Sequence, residues 1–164
     1  MGDTKENLAS AFAGESQANR RYLAFAKKAV EDGFPHLAKL FKAAAAAETV
    51  HAHNHLRVLG GVGSTVENVQ EAINGETFEF KQMYPEYLET SMGAGDAQAT
   101  WSFDVALQVE KVHAGLYEGA LAAVKAGKDL ETEKFYVCKV CGNTFENEHP
   151  EKCPVCNATG FKEI

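Results

Sequence analysis

The chain has 164 residues, enough for one ordinary domain plus a small module. It is 45% hydrophobic and 24% charged, as in globular proteins, and its longest apolar run is far shorter than a membrane span. The net charge of −7 excludes the basic face that nucleic-acid or anionic-membrane binding needs.

The first predicted helix runs from Thr4 to Glu31, ended by Asp32-Gly33. Pro35 suits the first turn of a second helix, which reaches Leu59 before Gly60-Gly61. Ser64 or Thr65 caps a third helix reaching Ser91, and Gly93-Ala94-Gly95 breaks it. A fourth starts near Asp96 and stops at Gly127. Each is on the order of 40 Å long. Matched lengths and mostly short connections predict an antiparallel four-helix bundle over residues 1–127.

Steps of three and four trace one seam per helix. On the first it reads Leu8, Phe12, Glu15, Asn19, Tyr22, Ala26; on the second Leu37, Phe41, Ala44, Glu48, His51, His55, Val58. On the third it reads Val69, Ile73, Glu76, Phe80, Met83, Tyr87; on the fourth Ala99, Phe103, Ala106, Glu110, His113, Tyr117, Ala120, Val124. Every seam carries a glutamate near its middle. A buried carboxylate costs several kcal/mol, on the order of 3–5, unless it is paired or bound to metal.

The four glutamates also form a repeat. Glu48-Thr-Val-His51 and Glu110-Lys-Val-His113 are both Glu-x-x-His, and Glu15 and Glu76 precede them by similar intervals. Residues three apart share a helix face, so each pair offers an oxygen and a nitrogen to one centre. Four carboxylates and two imidazoles suit two metal ions, iron or manganese before zinc. Glu79, three after Glu76, offers a seventh ligand. In the stretch AAAAAETVHAHNHL, His53 falls off the seam and is expected to face outward, while His55 lies on it one turn beyond His51. Tyr22 and Tyr84 are candidates to hydrogen-bond a carboxylate or a bound oxidant, although a core aromatic is the commoner role.

Residues 128–134 form a charged linker, and 135–164 a module too small to fold on its own core. All four cysteines lie there, as Cys138-x-x-Cys141 and Cys153-x-x-Cys156 with eleven residues between the pairs. Two such knuckles make a tetrahedral four-sulfur site. The spacing leaves zinc and iron open: zinc would only hold the fold, iron would carry one electron.

Together these residues resemble the rubrerythrin family over nearly the whole chain. The carriers are AFAGESQANRRY around Glu15, the two Glu-x-x-His pairs, ETFEFKQMYP around Glu76 and Glu79, and the terminal FYVCKVCGNTF…KCPVCNATGF. The resemblance implies an all-α ferritin-like four-helix bundle followed by a rubredoxin-like module of β and loop structure. It implies that Glu15, Glu48, Glu76, Glu79, Glu110 and His113 ligate a diiron-oxo site. His51 is then the ligand that exchanges with Glu79, and a single iron sits on Cys138, Cys141, Cys153 and Cys156. The matching Tyr22 and Tyr84 lie near the irons. Asn157 stands where many rubredoxins have glycine after the second knuckle; asparagine tolerates the left-handed backbone that the turn needs.

The activity so implied is reduction of hydrogen peroxide to water, as protection against oxidative stress. Electrons pass through the rubredoxin-like iron from a separate rubredoxin- or ferredoxin-type reductase and ultimately from NAD(P)H, since no G-x-G-x-x-G is present. The short linker leaves the bundle at its end, so the module is expected to serve the other subunit of a homodimer. With no signal peptide before Asp3 and Lys5, a cytoplasmic location is expected. The bundle alone also allows a ferritin-like iron oxidase or storage subunit, and a zinc-loaded tail would fit a metal-sensing or electron-transfer protein.

Overall fold

In a computed structural model of the chain, which describes residues 3–164, the helices start and stop where local chemistry dictates. Helix α1 spans Thr4–Glu31. Its N-terminus is a reciprocal capping box: the Asp3 side chain accepts from the Glu6 amide at 2.8 Å, and the Glu6 carboxylate accepts from the Asp3 amide at 3.0 Å. At the other end Gly33 takes φ 85°, a backbone region that costs glycine nothing. The Phe34 amide then reaches back to the Ala29 carbonyl at 2.7 Å and the Gly33 amide to Val30, a Schellman closure. Pro35 opens helix α2, Pro35–Val58.

The chain divides by contacts into a unit ending at Gly63 and a unit from Ser64 to Ile164. In the first, α1 and α2 form a helical hairpin. Its buried line is made of small residues, Ala26 and Ala29 on α1 and Ala38, Ala45 and Ala52 on α2, one per heptad on the second helix. Methyl side chains let two helices approach closely. The line of contact runs beside the expected seam of α2 rather than along it, because Leu37 on that seam stays 44% exposed. Asn19 is buried in the same contact, and its amide is satisfied by the Ala45 carbonyl at 2.7 Å and the Thr49 hydroxyl at 2.8 Å.

The second unit opens with helix α3, Thr65–Phe78, capped by Ser64 and Glu67 in another capping box. The expected single third helix to Ser91 is interrupted. A π-helical segment, Glu79–Met83, separates α3 from helix α4, Tyr84–Gly93. Pro85 in the first turn of α4 has no amide to donate and cannot continue an α-helical ladder. The ladder widens just before it, with the Tyr84 amide bonding the Glu79 carbonyl five residues back. Helix α5, Ala97–Lys125, starts on Asp96, whose carboxylate accepts from the amides of Gln98 and Ala99. Ile73 on α3 and Val105, Val109 and Ala114 on α5 are buried, and the two helices pack together.

The module carries a three-stranded antiparallel sheet in the order β2-β1-β3, built from β1 Phe135–Cys138, β2 Thr144–Glu146 and β3 Phe161–Glu163. Tyr136 pairs with Phe145 and with Glu163. A small aromatic cluster completes it. His149, featureless in the sequence, stacks on Phe161 at 4.1 Å and meets the edge of Tyr136. No helix among the described residues is long and apolar enough to cross a membrane.

Candidate metal centres

Three groups of side chains converge closely enough to hold metal ions, each with its donor atoms within 4.8 Å of one another. The first lies in the α1–α2 hairpin: Glu15, Glu48 and His51. The i, i+3 spacing on α2 brings His51 Nδ1 to 2.9 Å from Glu48, and Glu15 on α1 is 4.0 Å from the same nitrogen. The second lies on α3 and α5: Glu76, Glu110 and His113. His113 Nδ1 is 2.8 Å from Glu110 and 3.9 Å from Glu76. The sequence repeat is therefore a geometric repeat. The two groups differ in exposure, with the His51 side chain 52% accessible and that of His113 27%.

The electrostatics of the second group are those of crowded acids. Burial, the contact with the Glu110 carboxylate and its charge push Glu76 up to about 7. Glu110 is held below the usual carboxylate range by its bond to His113, against burial. His113 is raised above its ordinary value, chiefly by that same bond. Like charges held together at this separation are what a bound cation relieves, and two carboxylates with one imidazole suit iron or manganese.

Glu79 stands outside the three-residue group. Burial and the neighbouring charge of Glu110 raise its pKa. The Tyr84 phenol is raised by burial and then by Glu110, Glu79 and Glu76. The π segment explains the proximity. In an α-helix residues five apart lie about 140° from each other around the axis. An i→i+5 turn stacks them instead, so Tyr84 sits one turn above Glu79. Tyr22 packs its ring against Phe25 and Phe41 in the first hairpin. His53 is exposed, as its place off the seam implied.

The third group is Cys138, Cys141, Cys153 and Cys156. All four thiols are free, with Cys138 and Cys153 buried. The Sγ atoms of Cys138 and Cys156, and of Cys141 and Cys153, are 3.5 Å apart. That is too far for a disulfide, and close to the edge, about 3.8 Å, of a tetrahedron with ~2.3 Å metal–sulfur bonds. Burial pushes the Cys138 thiol up, but the amides of Cys141 and Val140 and two neighbouring thiols outweigh it and hold it at about 7. Burial raises Cys141. Gly142 and Asn157, after the two knuckles, take φ 86° and 60°, so the asparagine substitution keeps the left-handed turn.

The module sits against α5 of its own chain. Thr144 on β2 brings its hydroxyl to 3.0 Å from His113 Nε2, and also bonds the Gly142 carbonyl at 3.1 Å. The short linker therefore lets the module reach His113 of its own chain. The 128–134 segment needs only to turn back along α5, because the module docks on the side of that helix rather than beyond its end. A cavity of about 260 Å³ opens at this junction, lined by Glu76, His113, Leu116, Tyr117 and Thr144. Tyr117 had been placed only as a seam aromatic, and nothing in the sequence marked Thr144.

Helical carboxylate–imidazole sets joined to a four-thiolate module define the class: ferritin-like diiron proteins carrying a rubredoxin-like iron domain. Residues 6–121 match the rubrerythrin family model, and residues 136–161 match the model of the rubrerythrin rubredoxin-like domain. The chain belongs to the rubrerythrin family. It is 43% identical to rubrerythrin-2 of Clostridium acetobutylicum, over 93% of this chain and 91% of that one. It is 35% identical to nigerythrin of Nitratidesulfovibrio vulgaris, over 95% and 83%. A solved structure of fully reduced, all-ferrous nigerythrin covers 100% of this chain and 88% of its own, at 33% identity and a TM-score of 0.58. The cofactors of this family are iron, as a diiron site on glutamates and histidines and as one iron on four thiolates, and the donor groups described here fit both.

Proposed function

We propose that the protein is a hydrogen peroxide reductase whose electrons enter through the rubredoxin-like iron. The observation that carries this reading is the coexistence of a repeated Glu–Glu–His set and a four-thiolate set in one chain. A storage or ferroxidase subunit has no use for the second.

In this reading residues 1–127 form the diiron domain, 128–134 the linker and 135–164 the electron-entry domain. Glu15, Glu48, Glu76, Glu79, Glu110 and His113 hold the iron pair, with His51 exchanging against Glu79. A reduced iron pair supplies two electrons and Lewis acidity for cleaving an O–O bond. The protein supplies the rest. Tyr84 keeps its proton, because burial and three carboxylates oppose its ionisation, so its phenol is a hydrogen-bond donor at neutral pH. Tyr22 is the corresponding phenol of the first hairpin, its ring packed against Phe25 and Phe41. The half-exposed His51 is the imidazole freer to swing away, and Glu79, raised by burial, is the acid freer to lose its charge. Cys138, Cys141, Cys153 and Cys156 bind the iron that receives electrons one at a time from a separate NAD(P)H-linked reductase.

Metal analysis tests this reading. It predicts three irons per chain and the red colour of iron–thiolate absorption; two irons with one zinc would remove the electron entry and favour a storage or sensing role. The active form is a cytoplasmic homodimer in this account. Turnover that persists in full at dilutions where sedimentation shows only monomer would overturn the dimer.

A further inference from the structure

His113 and His51 hold equivalent places in the two Glu–Glu–His groups, and within its own unit the module reaches His113 through Thr144. Its Nδ1 faces Glu110 at 2.8 Å, and its Nε2 faces the Thr144 hydroxyl at 3.0 Å. The Thr144 hydroxyl has one proton, and the Gly142 carbonyl at 3.1 Å takes it. Thr144 is thus left as an acceptor toward the ring, so Nε2 carries a hydrogen, and the Nδ1 hydrogen that Glu110 accepts is the one a metal among the carboxylates would displace. Partners of this kind on the far nitrogen fix both the orientation and the tautomer of a ligating histidine.

We infer that Thr144 is the positioning residue that locks His113 as a permanent ligand and joins the two metal centres of one chain. Gly142, which accepts the Thr144 proton, directly follows the ligand Cys141. A route of one imidazole, two hydrogen bonds and one glycine residue therefore runs from the helical group to a thiolate of the same chain. Iron held by the four cysteines would supply one electron at a time, and iron held with His113 would accept it; the chain's own part is the hydrogen-bonded contact between the two donor groups. His113 stays while His51, half exposed, is the one free to exchange. The inference rests on the proposed function only in taking His113 as a ligand and the thiolate iron as the donor.

The test compares full-length protein with Thr144→Val, which removes the hydroxyl at constant shape, and Thr144→Ser, which keeps it. With the four-thiolate site already filled with iron, titration with cobalt(II) should show binding at the helical site weakened by about 10-fold or more in the valine variant and restored in the serine variant. Undiminished red absorption in both variants shows that the module is folded. In zinc-loaded protein, the His113 Nε2 proton should be protected from exchange in the native and serine forms and lost with valine. Stopped-flow reoxidation of the red centre should slow at least tenfold with valine alone. Native cobalt affinity and a protected proton in the valine variant overturn the inference, as does equal weakening by valine and serine. Threonine-dependent affinity in a protein that never reduces peroxide leaves the inference standing and overturns the proposed function instead.

Discussion

At the scale of single residues, the carboxylates on the seams are the most informative groups. Glu110 touches His113 and lowers its own pKa by doing so, while Glu76 beside it is driven up to about 7. Two acids pushed apart in this way, with an imidazole between them, make a site that a cation completes. Glu110→Ala removes the oxygen nearest His113 Nδ1 and should abolish diiron binding while leaving the red iron–thiolate centre. Iron content should fall from three to one per chain, with the visible absorption per chain unchanged. Loss of both centres together would mean that the two donor sets are not independent. The ligand types were legible because Glu-x-x-His is a local pattern. Thr144 was not, because its contact with His113 spans 31 positions and leaves no periodic trace.

At the scale of elements, the helix termini were readable and one helix interior was not. Asp3, Ser64 and Asp96 are ordinary N-caps, and each sits where the sequence placed a start. The Ser64–Glu67 box gives a measurable consequence. Ser64→Ala leaves the Glu67 amide without its side-chain acceptor and should destabilise the protein by about 1 kcal/mol in denaturant titration. Glu67 is held below the usual carboxylate range, first by the Ser64 hydroxyl and then by its amide. A depressed acid stabilises the fold above its unfolded value of about 4.5, and that contribution is lost as pH falls through the lower folded value. The alanine variant should accordingly show a weaker loss of stability than the native chain as pH falls below about 4.5. An identical acid limb would show that the box does not act on Glu67.

The π segment at Glu79–Met83 escaped the sequence reading for a definite reason. Steps of three and four continue across a one-residue insertion with only a small phase error, so Glu76, Phe80, Met83 and Tyr87 still look like one α-helical seam. Pro85 was the available signal, since a proline inside a periodic pattern announces a break or a kink. Its effect reaches the candidate site, because the widened turn beside it brings Tyr84 near Glu79. The alanine line of α2 was missed by one position for a related reason. Five consecutive alanines carry no amphipathic contrast, and of that run Ala45, in heptad register with Ala38 and Ala52, is the one fully buried.

At the scale of the whole molecule, the two units carry the same chemistry once each. One holds Glu15, Glu48 and His51; the other holds Glu76, Glu110 and His113, and in addition the thiolate module docked on its own α5. The class of fold, the donor sets and the family were legible, because they rest on residue types at fixed spacing, while iron rather than zinc on the four thiolates followed only from the family resemblance. The side of α5 on which the module docks was not, because a seven-residue linker constrains reach without fixing direction. The central claim is that this assembly of donor groups serves peroxide rather than dioxygen. Anaerobically reduced protein, mixed in a stopped-flow instrument with hydrogen peroxide and separately with dioxygen, tests it most directly. The account predicts that peroxide oxidises both iron centres, and does so faster than dioxygen; much faster oxidation by dioxygen would contradict it.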